Sequence, residues 1–203
     1  MQKLDAITYW AMAMSQICVQ FANGMIMPTI STYFFSAVGA DVVAIANIAS
    51  TAVACVDMHL LSKNSVLDFL RRHFAALLIL DITIYIVVNY YGVDKPFIRF
   101  VGVYVESAFT VQFIEGILED VRNSRLMGRY RTIIENEIHA KETFAYLIGA
   151  VLAIVIYKMD MNPDISTCII LFTIFLIVAS SFDYLSFKRL QRMPEIGSEA
   201  KIN

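Results

Sequence analysis

Two carboxylates lie inside segments that are otherwise apolar enough to enter a membrane. Glu106 lies about nine residues inside one such segment, and Asp81 lies midway along another. A carboxylate at that depth needs a nearby cation, a water-filled cavity or a bound proton, because its charged form is poorly solvated in apolar surroundings. Glu106 is therefore the first candidate for a proton-coupling group that takes up and releases a proton, and Asp81 is the next. The alternative for each is a structural hydrogen bond or ion pair to a neighbouring helix.

A further polar stripe lies on one face of a single predicted helix, at spacings of four, three and four residues: Glu135, His139, Glu142 and Tyr146. The stretch 129–158 that holds them would be roughly 45 Å long as a helix, against a hydrocarbon core of about 30 Å. The stripe predicts a helix that lines a water-filled cavity. There, Glu142 could pass protons, while His139 and Tyr146 could contact a substrate. The alternative is that the charges belong to a part of the helix outside the bilayer.

Polar side chains also recur at helical spacing on three other apolar segments, and they complete the predicted cavity lining: Gln16, Gln20, Asn23, Asn47, Thr51 and Thr110. Such groups inside a bilayer either hydrogen-bond to a neighbouring helix or face a cavity. Thr110 shares a helical face with Glu106, whereas Glu115, Glu119 and Arg122 fall on the opposite face of that segment.

The composition indicates an integral membrane protein. The chain has 203 residues, of which 58% are hydrophobic and 17% are charged, whereas soluble domains have about 45–50% and about 25%. No basic cluster suggests nucleic acid, and the three cysteines lie in apolar segments, where small buried side chains are expected. Without a Walker A motif, a metal-like histidine spacing or a nucleophile motif, we expect neither an enzyme nor a bound cofactor.

The apolar segments predict an all-α protein with six transmembrane helices in one domain of residues 1–190, at about 5–35, 42–61, 71–91, 96–118, 131–157 and 165–185. Residues 191–203 are predicted to form a flexible cytoplasmic tail. Most Lys and Arg residues fall on one side of these spans, and only Lys95, Arg99 and Lys158 fall on the other. Because cytoplasmic loops retain basic residues, we expect a multi-pass protein of the cell membrane with both termini in the cytoplasm.

Spans one, two, four and five are polar, spans three and six are drier, and both ends are expected inside. This arrangement resembles the amino-terminal half of a major facilitator superfamily transporter. The stretches FANGMIMPTISTYFFSAVGAD and RYRTIIENEIHAKETFAYLIGAVLAIVI are similar to first and fifth spans in that family. The loop after span two has Asp68, Arg71 and Arg72 but lacks the family's Gly. The resemblance implies two six-span halves related by an axis along the membrane normal. This chain would supply one half, and a second copy or a different chain would supply the other.

The leading hypothesis is a half-size secondary transporter of a small molecule, which works by alternating access as a homodimer. If its transport is coupled to an ion, the ion is expected to be the proton. Its expected partners are membrane lipids, a small-molecule substrate and a second half-transporter. The alternative is a non-transporting membrane scaffold, receptor or immunity-type protein built on the same bundle.

Overall fold

The chain folds into helices throughout the part that the structure describes. This computed structural model describes residues 4–92, 95, 97–98, 100, 111–126, 128–158 and 165–194, with the backbone alone at 27–35, 157 and 165–166. In chain order the helices of the described part are α1 (Ala6–Val38), α2 (Ala40–Leu61), α3 (Asn64–Arg72), α4 (Phe74–Tyr91), α5 (Gln112–Arg125), α6 (Gly128–Lys158) and α7 (Ile165–Arg192). The all-α prediction is confirmed.

Four helices of the described part are long and apolar enough to cross a membrane: Ala40–Leu61, Phe74–Tyr91, Gly128–Ile156 and Thr167–Arg192. They correspond to the predicted spans two, three, five and six. Most of the predicted fourth span, with Glu106 and Thr110, lies outside the described residues. The chain therefore has the character of a membrane protein, while the count of six spans stays a prediction.

Two local features set the helix boundaries near the amino terminus. Asp5 caps α1, because its carboxylate accepts hydrogen bonds from the backbone N–H of Thr8 at 2.9 Å and from the Thr8 hydroxyl at 2.7 Å. Gly39 separates α1 from α2 with a φ of 87°, a backbone conformation that side chains with a Cβ rarely adopt. The chain can therefore end one long helix and begin the next within a single residue.

Helix α1 is the centre of the bundle and packs along both α6 and α7. The contact with α6 is made by small residues spaced four apart on α6, namely Ala145, Gly149 and Ala153, all of which are buried. A Cβ on Gly149 would collide with backbone atoms of α1, and a Cβ on Gly24 would collide with backbone atoms of α6. Small residues that let two backbones approach closely are typical of helix pairs in membranes.

Both termini of the described chain meet at one end of the bundle. Asp5 and Arg189 form an ion pair at 3.6 Å, the Leu4 amide donates to the Tyr130 hydroxyl at 2.9 Å, and Arg125 reaches the Gln191 carbonyl at 3.5 Å. We call this end, where α1 and α6 begin and α5 and α7 finish, the basic end. An apolar cluster packs the helices there, and within it the Phe74 and Phe187 rings lie 4.2 Å apart.

Helix α2 packs loosely, with only Val43 and Asp57 buried along its length. Its Cys55 is exposed, whereas Cys18 and Cys168 are buried. The prediction of three buried cysteines is thus wrong for Cys55, because α2 has few neighbours on that face.

Candidate binding cavity

A cavity of about 370 Å³ opens among α1, α5 and α6 in the basic half of the bundle. Its lining is almost entirely polar: Gln16, Glu115, Glu119, Arg122, Arg131, Glu135, Ile138, His139 and Glu142. Along α6 the lining extends from Arg131 to Glu142, about 17 Å at the helical rise per residue. The cavity therefore extends from the basic end along the charged half of α6, up to the point where its apolar half begins.

Helix α6 supplies most of the lining because its polar residues recur on one face. The Arg131 Nε donates to Glu135 Oε1 at 2.7 Å, and the same guanidinium lies 3.7 Å from Glu119 of α5. Further along, His139 Nδ1 and Glu142 Oε1 are 2.5 Å apart. Glu142 is mostly buried, with 17% of its side chain exposed, whereas 77% of the His139 side chain is exposed. His139 thus lies nearer open water, with Glu142 behind it.

A second group of charges lies where α5 faces α7. The Asp183 carboxylate accepts a hydrogen bond from Ser15 of α1, and it is attracted to Arg122 and repelled by Glu115 and Asp81. Arg122 also attracts Glu115, seven residues or about two turns earlier on α5. The Arg122 guanidinium therefore attracts two carboxylates from different helices, and Asp81 of α4 adds a negative charge near one of them, Asp183. The Arg122 Nε is buried and makes no hydrogen bond to any described residue.

A third polar cluster lies on α6 outside the cavity. Lys141 pairs with Glu137 at 2.6 Å, as its spacing of four residues predicts. The Lys141 ammonium also contacts the Tyr9 hydroxyl and lies over the Tyr9 and Trp10 rings, 4.6 Å and 5.2 Å from their centres. The Tyr9 hydroxyl in turn donates to Glu137 at 2.7 Å. These contacts hold α6 against the start of α1.

The structure brings three of the predicted site residues together, since Gln16, His139 and Glu142 all line the cavity. Gln20 and Asn23 lie further along α1, are partly buried and do not belong to the lining. Tyr146 is 46% exposed and is likewise outside the lining.

The other predicted site residues lie away from the cavity. Asp81 is 1% exposed within the bundle. Asn47 and Thr51 are exposed on α2, where the Thr51 hydroxyl donates to the Asn47 carbonyl at 2.9 Å. Glu106 and Thr110 fall outside the described residues, so their roles stay predictions.

Sequence pattern alone does not identify two residues of this site. Arg122 lies on a polar face of predicted span four, and Asp183 lies in an otherwise apolar segment of the kind expected to face lipid. The available signal for Asp183 is its position, five residues before the basic cluster "KRLQR", since a charged group within a span normally faces the bundle interior.

The cavity lining has four glutamates against two arginines. Because Arg131 is already paired, the uncompensated charge of the cavity is negative. Compared with known proteins, the chain matches no family model, no curated protein and no solved structure.

Proposed function

We propose that the chain is a half-size secondary transporter of a small molecule, which works by alternating access as a homodimer in a cell membrane. The observation that carries the proposal is the charged cavity among α1, α5 and α6, which extends about 17 Å along α6. Carboxylates are costly to hold among apolar helices, so a cavity built from them favours a solute-binding role over simple packing.

The exposed polar residues of α2 support the dimer. Asn47 and Thr51 lie near the middle of a candidate span and are exposed. A polar side chain facing lipid costs several kcal/mol when it has no partner. The Thr51 hydroxyl already donates to the Asn47 carbonyl, so this cost falls on the Asn47 side-chain amide. A second copy that covers this face would remove that cost, whereas the exposed apolar side chains of α7, such as Ile170 and Ile174, suit lipid directly.

Cysteine cross-linking tests the dimer. In a background with Cys18, Cys55 and Cys168 replaced by Ser, Thr51→Cys should cross-link in native membranes. Ile174→Cys, on an equally exposed apolar position, is the matched control and should not cross-link. A Thr51→Cys protein that stays monomeric, while Ile174→Cys dimerises, would refute the proposed interface.

Flux measurement tests transport itself. Protein reconstituted in liposomes that contain a pH-sensitive dye should give saturable dye signals when transported solutes are added to one side, and empty liposomes should give none. In the six-span topology proposed for the chain, both termini are cytoplasmic and Glu106 lies near mid-membrane. Glu106→Gln should then keep assembly but lose uptake driven by a pH gradient.

One observation favours the alternative of a non-transporting scaffold or receptor. Within the cavity, Arg131 pairs with Glu135 and His139 with Glu142, so part of the polar lining satisfies itself. A scaffold would keep these pairs and show no flux for any solute. Transport predicts instead that solutes compete with the pairs, so saturable flux decides between the two functions.

A further inference from the structure

The charges of the cavity differ in how far they are already neutralised. Arg131 is satisfied by two carboxylates, Glu135 at 2.7 Å and Glu119 at 3.7 Å. A guanidinium held between two carboxylates is a poor receptor for an anionic ligand, because the ligand would have to displace one of them. Arg131 therefore does not turn the cavity into an anion site.

The second arginine of the cavity, Arg122, is also neutralised by nearby carboxylates. Arg122 is attracted to Glu115 inside the cavity and to Asp183 behind it, and Asp81 adds a third negative charge beside Asp183. Its Nε is buried, so that part of the guanidinium is closed to a ligand. Because the single positive charge of Arg122 is surrounded by more than one carboxylate, the net charge around Glu115 is negative.

From this balance we propose that the cavity binds a small organic cation with ammonium or guanidinium groups, held by Glu115 and Glu142 with the Gln16 amide beside them. The inference rests on the proposed function and names its substrate class. Within the described part of the chain, Glu115 makes no ion pair beyond its attraction to Arg122, and the one ion-pair partner of Glu142 there is His139. A cationic group placed between them would gain charge-assisted hydrogen bonds that these carboxylates otherwise lack.

The lining favours an organic cation over a metal ion. Among the described residues, no three His, Cys, Asp or Glu side chains are close enough to ligate one ion. The volume of about 370 Å³ is also far larger than a single ion needs, and it falls near the lower end of small-molecule sites, which are about 300–1,000 Å³. A molecule of a few carbon atoms with one or two amino groups fits that size.

A series of four-carbon compounds that differ mainly in charge tests the proposal directly. The probes are putrescine, 4-amino-1-butanol, 1,4-butanediol and succinate, titrated by calorimetry into the purified protein in uncharged nanodiscs. We expect affinity to fall in that order, with putrescine binding at least about tenfold more tightly than butanediol. Binding should also weaken as salt is added, because exposed charges are screened.

Isosteric variants assign the site. Glu115→Gln and Glu142→Gln should each weaken putrescine binding about tenfold while leaving butanediol unchanged. Glu137→Gln is the matched control, since Glu137 lies on α6 but pairs with Lys141 and Tyr9 outside the cavity. All three variants must elute from size-exclusion chromatography at the same volume as the wild-type protein. Glu115→Asp keeps the negative charge, so it should bind putrescine more tightly than Glu115→Gln does.

The outcomes separate this inference from the proposed function. Putrescine binding without flux would support the cation site and count against transport. Saturable flux of succinate, with weak putrescine binding, would support transport and overturn the cation site. Equal affinity across the series, no binding of any probe, or equal effects of Glu115→Gln and Glu137→Gln would also overturn it.

Discussion

The crossing of α1 and α6 gives a sharp test of the fold, because two glycines meet there backbone to backbone. A Cβ added at Gly149 would lie 3.0 Å from the Met25 amide nitrogen and 3.3 Å from the Gly24 carbonyl carbon, and it would collide with the Phe21 carbonyl oxygen. These are backbone atoms of a helix, so no side-chain rotation can relieve the contact. Gly149→Ala must therefore push the two helices apart.

The magnitude follows from two opposing effects. Overpacking a close contact costs about 1–3 kcal/mol, whereas replacing a helical Gly by Ala gains about 1 kcal/mol. We expect Gly149→Ala to lower the free energy of unfolding by up to about 2 kcal/mol. The matched control is Gly116→Ala on α5, where a Cβ would meet only the Leu61 side chain. That side chain can move, so the control should lie within about 1 kcal/mol of wild type.

Reversible unfolding in mixed detergent micelles, followed by circular dichroism, measures both values. The reciprocal change Gly24→Ala collides with the Tyr146 carbonyl oxygen and lies 3.0 Å from the Ala150 amide. Because either variant alone separates the helices, the double variant should lose less stability than the sum of the single losses. A Gly149→Ala protein more stable than wild type, or strictly additive losses, would refute the close crossing.

Two further predictions concern charged residues at the basic end. Hydrogen bonds from the Thr8 side chain and backbone, together with the nearby Arg189, hold the pKa of Asp5 below its ordinary value of 3.8. This stabilisation is therefore fully present above that value and is lost as the pH falls through the lower folded pKa. Asp5→Asn keeps the capping oxygen but cannot titrate, so it should remove this loss of stability at acid pH. The measurement is the free energy of unfolding from pH 7 to 2. If the variant lost as much stability at low pH as wild type, the proposed cap would be contradicted. Arg122→Leu should lower the free energy of unfolding by about 3 kcal/mol, because it leaves the Asp183 carboxylate without its cation. Arg129→Leu, at an exposed position, should change it by less than about 0.5 kcal/mol, and equal effects would show that Arg122 holds no buried network.

The local sequence was a good guide to the helix that carries most of the cavity. Helical phase alone places Glu135, His139 and Glu142 on one face, and in the structure all three line one cavity. This worked because a helical face is fixed by spacing of three and four residues, whatever the helix packs against. Tyr146 shares that phase but lies a turn beyond the cavity, where the close crossing at Gly149 leaves no space for one.

Partners contributed by other helices were not predictable in the same way. The short helix α3 and the role of Arg122 both depend on which helices are neighbours, and spacing along one segment says nothing about that. Asp183 shows the same limit, because its segment has the composition of a lipid-facing span. Its hydrogen bond to Ser15 and its attraction to Arg122 exist only because α7 packs along α1 and α5.

The glycine crossing and the charged cavity are parts of one arrangement on α6. Gly149 lies seven residues, or about two turns, beyond Glu142 on the same helix. Where the residues are small, α1 and α6 approach until their backbones touch; where the residues are long and charged, nearer the basic end, the same two helices are separated by side chains and the cavity opens between them. The residues proposed to hold the cation therefore lie between two places where α1 and α6 are held together. One is the glycine crossing, and the other is the Tyr9, Glu137 and Lys141 cluster nearer the basic end.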